Sequence, residues 1–208
     1  MDDHRIEVVF LRHGHATHNR DAELYGESAY FDIRNKDAEL TEKGHAQAKA
    51  VGKKIGSAVG FDRIYCSSLR RCMQTLLGAV PDSVNCSNVY IDDRLMEPQG
   101  NAVCNRRLCK EEIMDSIPMI WNMDHVGEKN PFDTAIDEGY DLVAEGGPKA
   151  EFQLRVAEFI RYLKESATEQ NHRRILVVAH HDWILTCCCI VMNEEIHLGN
   201  CETVNWYF

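Results

Sequence analysis

Residues 5–19, RIEVVFLRHGHATHN, begin as a strand and end in polar side chains. The run 5–11 is short, apolar and rich in β-branched residues, which predicts a buried strand. Arg12 and His13 follow it directly, and Gly14 then lets the backbone approach a ligand closely. This stretch therefore predicts a strand that carries a guanidinium and an imidazole to its carboxyl end.

Residues 174–192, RILVVAHHDWILTCCCIVM, have the same design near the other end of the chain. The pattern predicts a strand, a tight turn and a helix, with His180, His181 and Asp182 at the end of the strand. In open α/β sheets, ligands bind beyond the carboxyl ends of the strands. We therefore expect the two histidine clusters to meet at one ligand site.

The rest of the chain alternates strand-like and helical segments. Strands are predicted over 62–66, 88–92 and 203–208, and helices from Leu40, after the strand 62–66 and over 150–167. Thr41 is the expected N-cap of the first of these helices, and a polar loop is expected over 14–37. The alternation predicts an α/β fold, a three-layer sandwich with a largely parallel central sheet and helices on both faces.

The segment 97–147 differs from its surroundings, because no long periodic element runs through it. Loops this long in compact domains are usually functional. We therefore expect residues 1–208 to form a single domain with a cap-like insertion at about 97–147.

Charge and cysteine content narrow the class of protein. The chain has 23 Lys and Arg against 33 Asp and Glu, a net charge of −10, which disfavours nucleic acids and anionic membranes as partners. Nine cysteines, three of them consecutive at 187–189, suit reduced thiols better than a disulfide framework. The first residues are acidic where a signal peptide needs basic ones, and the longest apolar run is too short to span a bilayer. These features predict a cytoplasmic protein, with no indication of its oligomeric state.

Two more strand ends carry residues that phosphoryl chemistry uses. Arg70 and Arg71 follow the strand 62–66, and Glu97 follows the strand 88–92. A lone histidine or arginine at a strand end is more often structural than catalytic. Four such segments that end at one edge of a sheet favour a functional site.

Five motifs connect these strand ends, in the order LRHGHATHN (11–19), ELTEKGHAQA (39–48), CSSLRRCMQT (66–75), RLMEPQGN (94–101) and VVAHHDWI (177–184). They resemble, in the same order, the motifs of the histidine phosphatase superfamily, which includes cofactor-dependent phosphoglycerate mutases and acid phosphatases. The resemblance covers essentially the whole chain, and five ordered motifs are far more specific than any one of them.

The resemblance implies a role for each polar residue at the strand ends. His13 would be the nucleophile that forms a phosphohistidine, while Arg12 and Arg71 clamp the phosphate oxygens. His180 would complete a cationic pocket, and Asn19 would donate a further hydrogen bond to the phosphate.

Glu97 would be the general acid for the leaving alcohol and then the base for water. Such chemistry needs no metal and no cofactor, because arginines and histidines supply the positive charge. A metal-dependent phosphohydrolase stays an alternative, since the chain also offers many metal-ligand residues: His13, His15, His18, His180, His181 and Asp182.

Residues 94–107, RLMEPQGNAVCNRR, resemble more closely the plant and fungal phosphoglycerate mutase-like proteins. In that alignment Arg106 and Arg107 lie just beyond the catalytic acid. They would either reach the substrate from the cap or pair with the acidic residues 111–112.

Two residues depart from the family pattern. His15 stands where relatives often carry an acidic residue, and His181 stands where many carry glycine. Both are therefore candidates for substrate binding. The function that follows is a phosphomonoesterase acting on a small phosphorylated molecule, with a phosphoglycerate mutase-type phosphotransferase or a catalytically inactive binding module as alternatives.

Overall fold

The computed structural model describes residues 5–56, 60–80, 88–98, 102–116, 121–130 and 147–208. One sheet in this part contains the strands β1 (Glu7–Arg12), β2 (Arg63–Ser67), β3 (Val89–Asp92), β4 (Asn122–His125), β5 (Arg174–Ala179) and β6 (Thr203–Tyr207). The α-helices are α1 (Thr17–Tyr25), α2 (Glu42–Lys54), α3 (Arg70–Ala79), α4 (Lys110–Ser116), α5 (Gly147–Glu169) and α6 (His181–Met192). Short 3₁₀ helices lie at Glu27–Phe31, Ile33–Asn35, Asp93–Leu95 and Val103–Asn105.

The register of the sheet brings the two histidine segments together. The strand order is β4-β3-β2-β5-β1-β6, and neighbours are parallel except for the antiparallel pair β1 and β6. Arg12 lies opposite Ala179 across β1 and β5. His13 and His180, the next residues of each chain segment, therefore leave the sheet side by side at its carboxyl edge.

Strand β1 divides its side chains between two apolar cores. Val8 and Phe10 pack on one face of the sheet with residues of α5 and α6. Val9 and Leu11 pack on the other face with residues of α2 and α3. Burial on both faces is the reason why this strand is continuously apolar. The predicted three-layer α/β sandwich is confirmed.

The predicted N-cap of α2 is confirmed, and the helix predicted over 150–167 is α5, which runs from Gly147 to Glu169. The Thr41 hydroxyl accepts a hydrogen bond of 3.2 Å from the backbone N–H of Gly44, which caps the first turn of α2. In α5, Phe152, Val156 and Phe159 are buried against the sheet as one stripe. These contacts tie both faces of the sheet to the layer of helices that covers it.

The prediction of a polar loop over 14–37 is wrong in part, because α1 and two 3₁₀ helices lie there. Helix α1 buries His18 rather than an apolar stripe, so hydrophobic periodicity does not reveal it. The side-chain oxygen of Asn19 accepts a hydrogen bond from the backbone N–H of Ala16 and closes the first turn.

The segment expected to form a cap contributes to the sheet itself. Strand β4 pairs in parallel with β3 at the edge of the sheet, and α4 precedes it. Residues 99–101, 117–120 and 131–146 of the expected cap lie outside the described residues. Within the described ranges, no helix has the length and apolar character that crossing a membrane requires.

Candidate active site

A cavity of about 490 Å³ opens at the carboxyl edge of the sheet. The strand ends of β1 and β5 meet there, and the ring centres of His13 and His180 lie 5.2 Å apart. Several residues expected at the site border this cavity, namely Arg12, His13, Asn19, Arg71, Glu97 and His181. The structure thus brings together side chains that lie up to 169 positions apart in the chain.

The hydrogen bond of His13 defines which ring nitrogen can react. Nδ1 lies 2.7 Å from the carbonyl oxygen of Gly14, an atom that only accepts, so Nδ1 carries the proton and donates. Burial, with the charge of Arg71 as a second cause, lowers the pKa of His13 well below its ordinary value. The ring is therefore neutral and keeps a lone pair on Nε2, which is what a nucleophilic imidazole requires.

Close backbone packing holds the turn after His13. A Cβ atom on Gly44 would lie 2.1 Å from the carbonyl oxygen of His15, which leaves no room for a side chain. The N–H of Gly14 donates to the Thr75 hydroxyl at 2.9 Å, and the N–H of His15 donates to Oε1 of Gln47 at 2.9 Å. The second and third sequence motifs therefore support the nucleophile through their glycine, threonine and glutamine.

Two guanidinium groups border the cavity without forming an ion pair in the described part of the chain. Nη1 of Arg12 donates to the carbonyl oxygen of Leu198 at 2.5 Å. Arg71 donates from Nη1 to the carbonyl oxygen of Cys104 at 2.9 Å and from Nη2 to Oδ1 of Asn105 at 2.8 Å. These acceptors are neutral, so they do not offset the positive charge that each arginine presents to an anionic ligand.

Glu97 lies across the cavity at the N-terminus of α6. Its Oε1 atom accepts hydrogen bonds from the backbone N–H groups of Asp182 at 3.0 Å and of Trp183 at 3.1 Å. Burial, reinforced by the Asp182 carboxylate, raises the pKa of Glu97 to about 7. A carboxyl group with this pKa can give and take a proton at neutral pH.

The backbone that carries Glu97 is fixed by a residue that the sequence pattern does not single out. Nη1 of Arg155, in α5, donates to the carbonyl oxygens of Asp93, Arg94 and Met96 at 2.8–3.2 Å. Nη2 donates to the carbonyl oxygen of Glu97 itself at 3.4 Å, so four acceptors on one guanidinium hold this stretch in a single conformation. The apolar stripe of α5 gives no sign of this role, because arginine at that position is equally typical of a solvent-facing residue.

His180 is completely buried behind His13, and its Nε2 atom lies 2.8 Å from the Ser67 hydroxyl. Burial is the largest cause of a pKa well below the ordinary value for His180, with the charge of Arg71 as the next. In its neutral form His180 would act by hydrogen bonding rather than by charge, and its part in a cationic pocket stays a prediction. The positive charge at the cavity comes from Arg12 and Arg71.

His18 borders the cavity, although the sequence marks it only among the many possible metal ligands. Its ring centre lies 5.8 Å from that of His13 and 5.9 Å from that of Tyr30. Burial, with Arg71 as a further cause, lowers the pKa of His18 to about 2. The sequence gives no sign of this position, because helix α1, which carries His18, has no apolar periodicity.

Asn19 and His181 border the cavity with part of each side chain already engaged. Oδ1 of Asn19 accepts from the N–H of Ala16, so its N–H₂ group is the part suited to a ligand. The ring of His181 stacks on His197 at 5.2 Å, with Nε2 of His181 3.2 Å from Nδ1 of His197. Both positions are compatible with contacts to a bound anion.

His15 and Arg107 do not border the cavity, contrary to their role as candidates for substrate binding. Nδ1 of His15 lies 2.8 Å from the Thr41 hydroxyl, and Nε2 lies 3.3 Å from Glu23. Arg107 is buried and binds Asp93 through Nε at 2.8 Å and Nη2 at 2.9 Å. Its partner is therefore neither a substrate nor the acidic run at 111–112.

Arg106, the neighbouring candidate, is half-buried and also lies outside the lining of the cavity. A buried ion pair needs good geometry to compensate for desolvation, and the two-point contact of Arg107 with Asp93 provides it.

Within the described ranges, no three His, Cys, Asp or Glu side chains converge as a metal site would require.

Comparison with known proteins relates this geometry to a family. Residues 8–205 match the histidine phosphatase superfamily (branch 1). A probable phosphoglycerate mutase, GpmB, from Erwinia tasmaniensis is 31% identical over 103 residues, which cover 50% of this chain and 43% of that protein. The matched part of the chain spans 30% to 49% of the length of three curated phosphoglycerate mutases.

Two solved structures share the fold. Phosphoglycerate mutase from Bacillus anthracis str. Sterne superposes with a TM-score of 0.63 at 18% identity, covering 98% of this chain and 88% of that one. Phosphoserine phosphatase from Entamoeba histolytica, in complex with 3-phosphoglyceric acid, gives 0.58 at 20% identity, covering 96% and 89%. Because the family match extends over almost the entire chain and its motifs line one cavity, this protein belongs to the histidine phosphatase superfamily.

Proposed function

We propose that this protein is a phosphomonoesterase that hydrolyses a small phosphorylated molecule through a phosphohistidine on His13. One observation carries the proposal: a neutral His13 with its proton on Nδ1 shares a cavity with two arginines that have no carboxylate partner in the described ranges. An uncharged nucleophile next to two guanidinium groups is what attack on a phosphate ester needs.

The first step transfers the phosphoryl group to the enzyme. Nε2 of His13 attacks phosphorus while the bond from phosphorus to the leaving oxygen breaks. Arg12 and Arg71 stabilise the charge on the non-bridging oxygens. Glu97, protonated because its pKa is about 7, gives its proton to the leaving oxygen and releases an alcohol.

The second step returns the enzyme to its starting state. The Glu97 carboxylate takes a proton from water as the water oxygen attacks the phosphoryl group. The bond between Nε2 of His13 and phosphorus breaks, and inorganic phosphate leaves with Glu97 protonated again. One carboxyl group thus serves as acid and then as base, which requires a pKa near the working pH.

The charges that border the cavity favour hydrolysis over mutase activity. A phosphoglycerate carries a carboxylate in addition to its phosphate, and a phosphorylated intermediate adds a second phosphate. In the described lining, Arg12 and Arg71 are the only permanently charged cations, and Arg107 is occupied by Asp93.

The run 94–107 further supports kinship with the plant and fungal phosphoglycerate mutase-like proteins.

The free cysteines support a cytoplasmic location, and the net charge of the chain supports a compact substrate. The eight cysteines in the described ranges are free thiols, as is usual where glutathione keeps cysteine reduced. The chain as a whole carries a net charge of −10, although its proposed phosphate site is cationic. This net negative charge opposes the approach of polyanions such as nucleic acids.

The proposal is tested by incubating the protein with ³²P-labelled aryl phosphate, quenching rapidly without acid and measuring the label bound to the protein. We expect an acid-labile label in the wild-type chain, none in His13→Ala, and steady release of phosphate with an excess of chelator present. Loss of activity on chelation would support the metal-dependent alternative. Interconversion of 2- and 3-phosphoglycerate faster than phosphate release would identify a mutase, and turnover by His13→Ala would exclude the phosphohistidine.

A further inference from the structure

Asn105 connects two parts of the catalytic machinery through one amide group. Its Oδ1 atom accepts a hydrogen bond of 2.8 Å from Nη2 of Arg71. Its Nδ2 atom donates a hydrogen bond of 2.8 Å to the carbonyl oxygen of Pro98. Pro98 directly follows Glu97, so the amide joins the phosphate clamp to the backbone that carries the acid.

The orientation of this amide is determined by its partners. The guanidinium of Arg71 only donates and the carbonyl oxygen of Pro98 only accepts, so oxygen and nitrogen cannot exchange places. Asn105 is 7% exposed, and water therefore competes little for either bond. Among side chains of this length, only asparagine offers a neutral acceptor and a donor on one planar group.

Arg71 depends on these contacts because a long side chain has many rotamers. Arg71 is 1% exposed, and its guanidinium is held by Cys104 and Asn105, which both belong to the 3₁₀ helix Val103–Asn105. The two bonds use one N–H of each terminal nitrogen, and Nε is buried without a hydrogen-bond partner among the described residues. A shift of about 1 Å in such a group can cost roughly 10²-fold in rate.

We propose that Asn105 is a positioning residue that holds the Arg71 clamp and the Glu97 backbone in one relative geometry. This inference rests on the proposed function, since it assigns Arg71 to the phosphate and Glu97 to the leaving group.

Double-mutant cycles test the proposal, with kcat/KM for an aryl phosphate and affinity for orthovanadate as readouts. We expect Asn105→Ala to lower kcat/KM about 10- to 100-fold in the wild-type background. In an Arg71→Ala background the same change should cost less than in the wild type, because only the contact with the backbone next to Glu97 is then left to lose. Asn105→Gln, which keeps both polar groups of the amide, should recover part of the loss.

Asn35→Ala is the matched control. Asn35 is also buried, at 2% exposed, and donates from Nδ2 to Asp21 and to the carbonyl oxygen of Ala29, so its amide bonds to neither Arg71 nor Pro98. We expect it to lower the melting temperature while its effect on kcat/KM is the same with and without Arg71. If Asn105→Ala does not fold, Asn105→Ser, whose shorter side chain cannot span both partners, replaces it in the same cycle.

Equal losses from Asn105→Ala with and without Arg71 would overturn the proposal, because Asn105 would then not act through the Arg71 clamp. Wild-type enzyme that binds orthovanadate without any turnover would refute the proposed function alone, and the cycle would then be measured on vanadate affinity. Wild-type enzyme that neither binds nor reacts would refute both.

Discussion

Oε1 of Glu97 accepts a hydrogen bond of 3.1 Å from the backbone N–H of Trp183, in the first turn of α6. Amides at a helix N-terminus favour the charged carboxylate. Burial and the nearby Asp182 carboxylate oppose this and dominate, so that the pKa of Glu97 rises to about 7. The fold thus keeps this carboxyl group protonated up to neutral pH, beside the cationic end of the cavity.

The activity toward alkyl phosphates should fall as the pH rises through about 7, because the acid form of Glu97 is then lost. Measurements of kcat/KM from pH 5 to 9 check this, with Glu97→Gln as the control for ionisation of the substrate. If the alkaline limb of the profile were the same in both proteins, a different group would be the acid.

Replacement of Glu97 by Gln should slow poor leaving groups most. We expect a loss of about 10²–10⁴-fold for an alkyl phosphate, because an alkoxide needs protonation as it leaves. A nitrophenolate leaves without a proton, so the loss for its ester should be much smaller. A series of esters of graded leaving-group pKa gives the slope, and equal slopes for both proteins would contradict the role.

The same substitution should stabilise the fold at alkaline pH. Glu97 titrates near 4.5 when unfolded and near 7 when folded, so the fold favours the protonated form. The stability associated with it is complete below pH 4.5 and is lost as the pH rises through 7. The melting temperature of Glu97→Gln relative to wild type should therefore increase from pH 4 to pH 8, and a constant difference would refute the raised pKa.

Substitution of Gly44 by Ala should destabilise the protein by about 1–3 kcal/mol or more, because the new Cβ would overlap the carbonyl oxygen of His15. Displacement of that turn should also reduce activity. Gly127→Ala is the control, since its Cβ would lie at an ordinary 3.5 Å from the nearest atom. Denaturant unfolding of both variants measures the contrast, and equal midpoints would show that the close packing is not required.

The substitution Arg107→Ala should lower the free energy of unfolding without a specific effect on substrate affinity. Asp93 would lose its two-point partner, and breaking a buried pair costs about 3–5 kcal/mol. Arg106→Ala, at the adjacent half-buried position, should change stability far less. Should Arg107→Ala instead raise KM at unchanged stability, the arginine would contact the substrate after all.

The sequence predicted the layer order and much of the site because both follow from local patterns. An apolar run such as 5–11 forms a strand buried on both faces, and side chains at its end must leave the sheet at one edge. This reasoning anticipated that His13, His180 and Glu97 come to the same region. It missed α1 and His18, because a helix without an apolar stripe leaves no periodic signal.

The sequence by itself thus determined the α/β sandwich and the strand ends, which follow from short-range periodicity. It also determined the family motifs, which follow from residue types at fixed short spacings. Only the tertiary structure decided that Arg107 binds Asp93, that Asn105 joins Arg71 to Pro98, and that Glu97 holds its proton to about pH 7. Partners and pKa values depend on burial and on groups distant in sequence, which no local pattern encodes.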